Sequence, residues 1–296
     1  MTLVVIIASL IVEQIFGRWQ RLRRLSWFIS LRKHLHKLVP ESLRAGYRGA
    51  VLLLVIPTLL VWVLQMLLQA YAWGLFELLY SILLVSYCLG PEPFNERVDA
   101  YLHACEEHHR LEAKELAESL VGDKVPENQW QQSSAVTKAI LYEGNIRVFA
   151  VMFWFILLGP AGAVLYRCSA FMAQGKNIPE CEHLLPAAER IFAILDWLPA
   201  HLLSLTFFLT GSFDDAWHAW KKAIGAELDF NERNRSVVIH TGCGAMRHEV
   251  DDAFDSNEQG EEYDLFWVRT ARSLVVRSLV VWLAGVAVLT MVGWFV

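Results

Sequence analysis

Charge is what this sequence has least of. Asp, Glu, Lys and Arg make up 19% of its 296 residues, where a soluble domain carries about a quarter. The charges sum to −5, leaving no basic excess for a phosphate backbone, so nucleic acid is excluded as a partner. Close cysteine pairs are lacking too. Cys88, Cys105, Cys168, Cys181 and Cys243 are odd in number and show no CxxC spacing, which excludes a disulfide scaffold and fits reduced thiols. No GxxxxGK ending in Ser or Thr occurs, because Gly175-Lys176 is followed by Asn177 and lacks the upstream glycine. GxSxG, HExxH and GxGxxG are also missing, so no conventional nucleotide-binding or hydrolase domain is indicated. Internal repeats and long low-complexity tracts are absent as well.

Apolar mass takes their place. Hydrophobic residues reach 55%, with 12 Trp and 16 Phe, and mean hydropathy is +0.35. A bilayer core needs about 20 predominantly apolar helical residues. Residues 51–68 carry no charge and 73–89 carry only Glu77, with a tight turn expected at Gln69-Ala70-Tyr71, so 50–89 reads as a membrane hairpin. Residues 149–166 are an uncharged run, and 274–296 are broken only by Arg277. Two further segments are candidates: 2–16, short and ending near Glu13 and Gln14, and 191–211, interrupted by Asp196, Pro199 and His201. The fold class expected is all-α, a polytopic helical membrane protein with cytoplasmic helical regions.

Lys and Arg orient such a chain. Residues 17–50 hold Arg18, Arg21, Arg23, Arg24, Arg32, Lys33, Lys37, Arg44 and Arg48 against Glu41 alone. This linker is therefore expected in the cytoplasm, where Arg18, Arg21, Arg23 and Arg24 meet anionic lipid. The spacing of Trp19, Leu22, Leu25, Phe28 and Ile29 suits an interfacial helix. Arg269, Arg272 and Arg277 place the start of the last span inside as well. A crossing over 191–211 reconciles both ends, giving six spans with both termini outside. The same rule leaves Arg167 and Lys176 outside, so models with four or five spans stay open.

The chain then divides into N-terminal membrane helices with the basic linker (1–89), a cytoplasmic helical region (90–146), membrane helices with a polar-lined site (147–211), a polar region with an acidic loop (212–268) and a C-terminal membrane helix (269–296). Gly122, Asp123 and Pro126 stop the first cytoplasmic helices. That region is acidic and is expected to pair with the basic linker. Both polar regions are surfaces for cytoplasmic protein partners.

Ionisable residues inside spans are costly, about 2.5–3.5 kcal/mol on insertion scales, so each is a site candidate. Glu13, Glu77, Asp196 and His201 qualify; Glu13 and Glu143 are also placed to snorkel to water from the interface. Glu143, Asn145 and Arg147 stand at the mouth of the 149–166 span, with Glu143 and Arg147 spaced to pair on one helical face. Pro199 is expected to break its helix and free carbonyls between Asp196 and His201. The candidate polar site is thus Glu13, Glu143, Asn145, Arg147, Asp196 and His201. Asp99, His103 and Glu107 recur every four residues and offer metal-ligand chemistry, although a solvated helix face is the commoner origin of such spacing. His240, Cys243 and His248 form a looser metal-like set in a glycine-containing stretch, read as a loop. No cofactor is named by these residues.

The stretch Ile194-Leu195-Asp196-Trp197-Leu198-Pro199-Ala200 resembles a signature of the AmpE family, inner-membrane proteins tied to β-lactamase induction. So do Asn145-Ile146-Arg147, Phe149, Phe153-Trp154, Gly159-Pro160-Ala161-Gly162, Tyr166, Met1-Thr2-Leu3 with Glu13, and Ala100-Tyr101-Leu102. The resemblance implies a bacterial inner-membrane regulator in cell-wall recycling signalling. AmpE is in turn distantly similar to the adenosylcobinamide-phosphate synthase family of cobalamin biosynthesis. There a Glu-Asn pair precedes a Gly-Pro-rich membrane segment, and here the pair is spaced out as Glu143-Gly144-Asn145. The polar Asn-Thr-Leu-Asp-Ser-Met stretch of those enzymes is replaced by Cys168-Ser169-Ala170-Phe171-Met172-Ala173, and Pro-Ala-Arg by Pro199-Ala200-His201. Losing the guanidinium removes a bidentate phosphate ligand. The expectation is a regulator without cobamide synthase activity, the alternatives being an enzyme that uses the same scaffold on another substrate, or a small-molecule transporter.

The orientation is testable with reporter fusions after residues 180 and 240. The six-span reading places 180 outside and 240 inside; both on one side refutes it.

Overall fold

Backbone polar groups in lipid must be satisfied within the chain, which is why apolar runs of this length fold as helices. A computed structural model describes residues 2–16, 27–28, 30–31, 46–71, 74–89, 94–174, 184–254 and 260–293, with the backbone alone at 13–16, 69–71, 94, 95 and 261. Among the described residues there is no strand. The helices are α1 (Thr2–Phe16), α2 (Gly46–Tyr71), α3 (Leu75–Cys88), α4 (Phe94–Glu106), α5 (Arg110–Val121), α6 (Gln129–Gly144), α7 (Ala150–Ala173), α8 (Leu185–Thr210), α9 (Phe213–Gly225), α10 (Phe230–Ala253) and α11 (Glu261–Met291). A π-helical turn, Asn145–Phe149, joins α6 to α7.

Among the described residues, four stretches are long and apolar enough to cross a membrane: Gly46–Leu68, Gln129–Ala173, Leu185–Thr210 and Glu262–Met291. The chain is an all-α polytopic membrane protein. Two of the six expected spans are shorter apolar helices. At 14 residues α3 measures about 21 Å, against a hydrocarbon core of about 30 Å. The hairpin turn also lies later than expected. Gln69 and Ala70 continue α2 through Tyr71, and α3 begins after Gly74, whose φ of 66° is left-handed. A polar residue alone does not end a helix, whereas a positive φ does.

Two compact units share the chain. The first comprises 1–92, 146–199 and 286–296; the second comprises 93–145 and 200–285. In the first, α1 packs on α3, where the Ser9 hydroxyl donates to the Ile82 carbonyl at 3.3 Å and the Ser86 hydroxyl to the Ser9 carbonyl at 3.5 Å. Small polar residues let apolar helices approach closely in this way. α7 packs on α2 and α3. It is bent at Gly159 (φ 66°, ψ −157°), followed by Pro160, a break not expected from the sequence. The bend brings the Trp154 carbonyl oxygen to 2.3 Å from where a Cβ of Gly162 would stand. Of the basic linker, Phe28 packs edge-on against Phe171 at 5.8 Å, and the Trp27 indole donates to the Tyr87 hydroxyl at 2.7 Å. Arg18, Arg21, Arg23 and Arg24, with their lipid partner, lie outside the described residues.

In the second unit α11 carries three arginines that reach acidic partners. Arg269 bonds Glu106, Arg272 bonds Asp99, and Arg277 Nη2 donates to Glu249 Oε2 at 2.7 Å. The acidic helix α4 thus finds its cations ahead of the last apolar run. Higher on α11, Trp282 Nε1 donates to Thr206 Oγ1 at 2.9 Å, and Ser278 shares a hydrogen bond with Thr210 at 3.2 Å. The expected acidic loop over 249–264 is in part helix, since α10 runs to Ala253 and α11 starts at Glu261.

Gly159→Ala is expected to cost about 1–3 kcal/mol, because an L-residue is strained at that φ. Gly162→Ala should cost more, since its Cβ meets backbone that cannot rotate away. Unfolding in detergent micelles measures both; equal stability of the three proteins contradicts the bend.

Candidate functional site

The site in the first unit starts from a missing donor. Pro199 has no N–H, so the Leu195 carbonyl loses its helical partner. α8 nevertheless runs unbroken through Pro199, and the Trp154 indole N–H of α7 donates to the Leu195 carbonyl at 3.1 Å. The helix is not broken between Asp196 and His201, because a neighbouring side chain supplies what the proline withholds. That bond fixes α7 against α8 next to Asp196.

Asp196 is 1% exposed and Tyr166 is fully buried. The Tyr166 hydroxyl donates to Asp196 Oδ1 at 2.7 Å. The Tyr166 ring packs on Phe192, one turn before Asp196, with centroids 5.8 Å apart. Ser169, also buried, donates its hydroxyl to the Tyr166 carbonyl at 2.7 Å. A phenol–carboxyl bond of this length in apolar surroundings is stronger than its counterpart in water. Chemically it holds one proton between two oxygens, and it is able to accept a proton from, or return one to, a third group.

The other expected site residues are distributed as follows. Asn145 is fully buried at the start of the π-helical turn, a feature often found at functional sites. Glu143 and Arg147 are half-buried on either side of its start, and the turn between them adds a residue to the helical repeat, altering the shared face assumed for them. Arg147 and Asp196 belong to the first unit; Glu143, Asn145 and His201 belong to the second. Glu13 contributes backbone to α1, and its side chain lies outside the described residues.

The metal candidates resolve into ion pairs. Asp99 bonds Arg272, while His103 Nδ1 lies 3.4 Å from Glu107 Oε2 on the same helix. Among the described residues no group of three or more His, Cys, Asp or Glu is placed to hold a metal ion. His240, Cys243 and His248 stand on helix α10 and not in a loop, and His248 pairs with Asp252 at 2.8 Å. Burial pushes the Cys243 thiol up to about 11, which disfavours the thiolate a metal requires. Burial and the charges of Lys138 and Lys222 lower the pKa of His240. Cys88, Cys105, Cys168 and Cys243 are free thiols, as expected.

Sequence reasoning quoted Tyr166 and Trp154 only within a motif. The usable signal was chemical: a phenol and an indole inside an uncharged run must each find a partner when buried.

The CobD/Cbib protein family matches residues 6–246, from α1 to α10 and across every residue of the Tyr166–Asp196 centre. The chain belongs to this family. A cobalamin biosynthesis protein CobD from Stutzerimonas stutzeri (strain A1501) is 30% identical over 249 residues, 81% of this chain and 79% of that protein. Another of the same name from Chromobacterium violaceum is 29% identical over 209 residues, 69% of this chain and 64% of that protein, so the match spans just under two thirds of it. No solved structure matches.

These matches overturn the AmpE reading and the β-lactamase-induction and regulatory role drawn from it. The structure shows why the motif misled. Gly159-Pro160-Ala161-Gly162 bends α7, Trp154 closes the carbonyl that Pro199 opens, and Tyr166 bonds Asp196. Such residues report a scaffold and say nothing about regulation.

Tyr166→Phe keeps the ring on Phe192 and deletes the bond to Asp196. It is expected to lower stability by about 1–3 kcal/mol, the cost of leaving a buried acceptor short of its donor. Chemical unfolding in micelles reads this, and an unchanged midpoint contradicts the pairing.

Proposed function

We propose that this protein is a membrane-embedded enzyme of cobalamin biosynthesis, acting on a corrinoid at the bacterial inner membrane with the Tyr166–Asp196 pair as its proton-handling centre. The observation that carries the reading is the family match over 6–246, reinforced by two relatives named for cobalamin biosynthesis. The pair supplies what an enzyme would need there. Asp196 takes or releases a proton, and Tyr166 holds its carboxyl in one orientation and returns the proton through the same short bond. His201 keeps a nitrogen donor where the synthases carry arginine but lacks the two-pronged fork, so a phosphate contact at that position is single-pronged.

The experiment is complementation. A bacterium deleted for its own CobD/Cbib gene is given this chain, and corrinoids are measured by mass spectrometry. Wild type is expected to restore the complete cobamide. Asp196→Asn should reduce the yield about 100-fold or more at equal membrane abundance, the scale of a lost acid–base group. No restoration by abundant wild-type protein overturns the proposal.

A further inference from the structure

The second unit carries a helix with an exposed face that the proposed chemistry does not use, and what that face offers is independent of the cobalamin reading. α9 begins three residues after Thr210, the end of an apolar stretch long enough to cross the membrane, so at most about 10 Å of chain separates the two. The junction is tied down. The Gly211 N–H donates to the Phe207 carbonyl at 3.0 Å, and the Ser212 N–H to the Ala245 carbonyl at 2.9 Å. One side of α9 packs on α10. Ala216 and Ala223 are buried, and a Cβ on Gly244 of α10 would stand 2.9 Å from the Cβ of Ala219. Helices in such close contact cannot roll over one another, so this alanine seam decides where the remaining faces of α9 point.

At about 100° per residue, Phe213, Trp217, Trp220 and Ile224 form one stripe about a quarter turn from that seam, with His218 and Lys222 on the far side. The rings stack, Phe213 on Trp217 at 6.3 Å and Trp217 on Trp220 at 5.2 Å. Phe208, buried in the last turns of α8, meets all three edge-on. Packing within the protein would leave such rings covered. Instead Phe213 is 57% exposed, and Leu209, four residues before it, is 76% exposed. Leu205, a further four residues back, is exposed as well and lies within the apolar stretch. The stripe therefore runs on from a surface that lipid covers. Indoles favour the layer where hydrocarbon meets headgroups, since they join an apolar body to one polar N–H. Lys221 edges the stripe with its Nζ 4.8 Å from the Trp217 ring centroid, as a lysine stem does when it lies along apolar surface and keeps its charge toward water or phosphate. Asp214 and Asp215 balance Lys221 and Lys222, so the attraction is apolar and not one of net charge. We infer that α9 is an interfacial helix, lying along the membrane surface with its aromatic stripe seated in the phospholipid layer. Through the seam it also fixes α10 to that layer.

The test uses the full chain in phosphatidylcholine nanodiscs holding a single chain each, so that lipid alone is available to cover the stripe. Part of the lipid carries a diazirine near the ester end of one acyl chain. Illumination joins it to neighbouring side chains, and mass spectrometry maps the adducts. Adducts are expected at Phe213, Trp217 and Trp220, as at Leu59 and Leu60, which are exposed on an apolar stretch of α2, and not at His218 or Lys222. A nitroxide on Phe213→Cys, in a chain whose native cysteines are changed to serine, should report a depth of about 5–10 Å below the headgroups by its accessibility to oxygen and nickel. Adducts confined to the spans, or shared equally by both faces of α9, overturn the inference. So does labelling that arises only when phosphatidylglycerol replaces phosphatidylcholine, because the contact is then one of charge. Should the cysteine variant fail to fold, the adduct pattern of the wild-type chain decides alone.

Discussion

A carbonyl inside an apolar helix has to find a donor, and two prolines set the terms on which this protein does so. Pro199 withdraws the donor from Leu195, and the Trp154 indole replaces it across the helix interface. That bond places α7 beside α8 one residue from Asp196, so the Tyr166–Asp196 pair depends on the repair of a proline defect. Pro160 acts differently: with Gly159 at positive φ the helix bends, beside a cavity lined also by Glu77 and Gln65. The same loss of an N–H accompanies a tied interface in one place and a bend in the other.

Charge in the second unit follows a related economy. Arg269, Arg272 and Arg277 each meet an acidic partner on another helix. The pairs to Glu106 and Asp99 are 38–54% exposed, so each contributes little alone. Their value is positional: together with the Trp282–Thr206 and Ser278–Thr210 bonds they set the register of α11 within that unit. Asp99 is thereby an ion-pair partner of α11, and among the described residues its stripe brings together no group of three or more potential metal ligands.

The mistaken regulatory role came from a sound reading of residues. Leu195-Asp196-Trp197-Leu198-Pro199, Trp154, Gly159-Pro160 and Tyr166 are informative because they solve packing problems, and proteins of one scaffold share solutions to packing problems whatever they do. A motif of this kind identifies architecture. Family membership required the match over 6–246, and the partners of the buried polar atoms required the structure.

The sequence by itself determined the all-helical membrane architecture and the stop at Gly122. These depend on composition, local periodicity and the cost of burying a charge, all of which are properties of short stretches. Tertiary structure decided the rest. Whether Pro199 breaks its helix turned on an indole 45 residues away. Whether Asp99 binds a metal or an arginine turned on a helix at the other end of the chain, and the partner of Asp196 was a phenol on a different helix. Each outcome is a hydrogen bond between residues distant in sequence, and no local pattern encodes which of several eligible donors arrives.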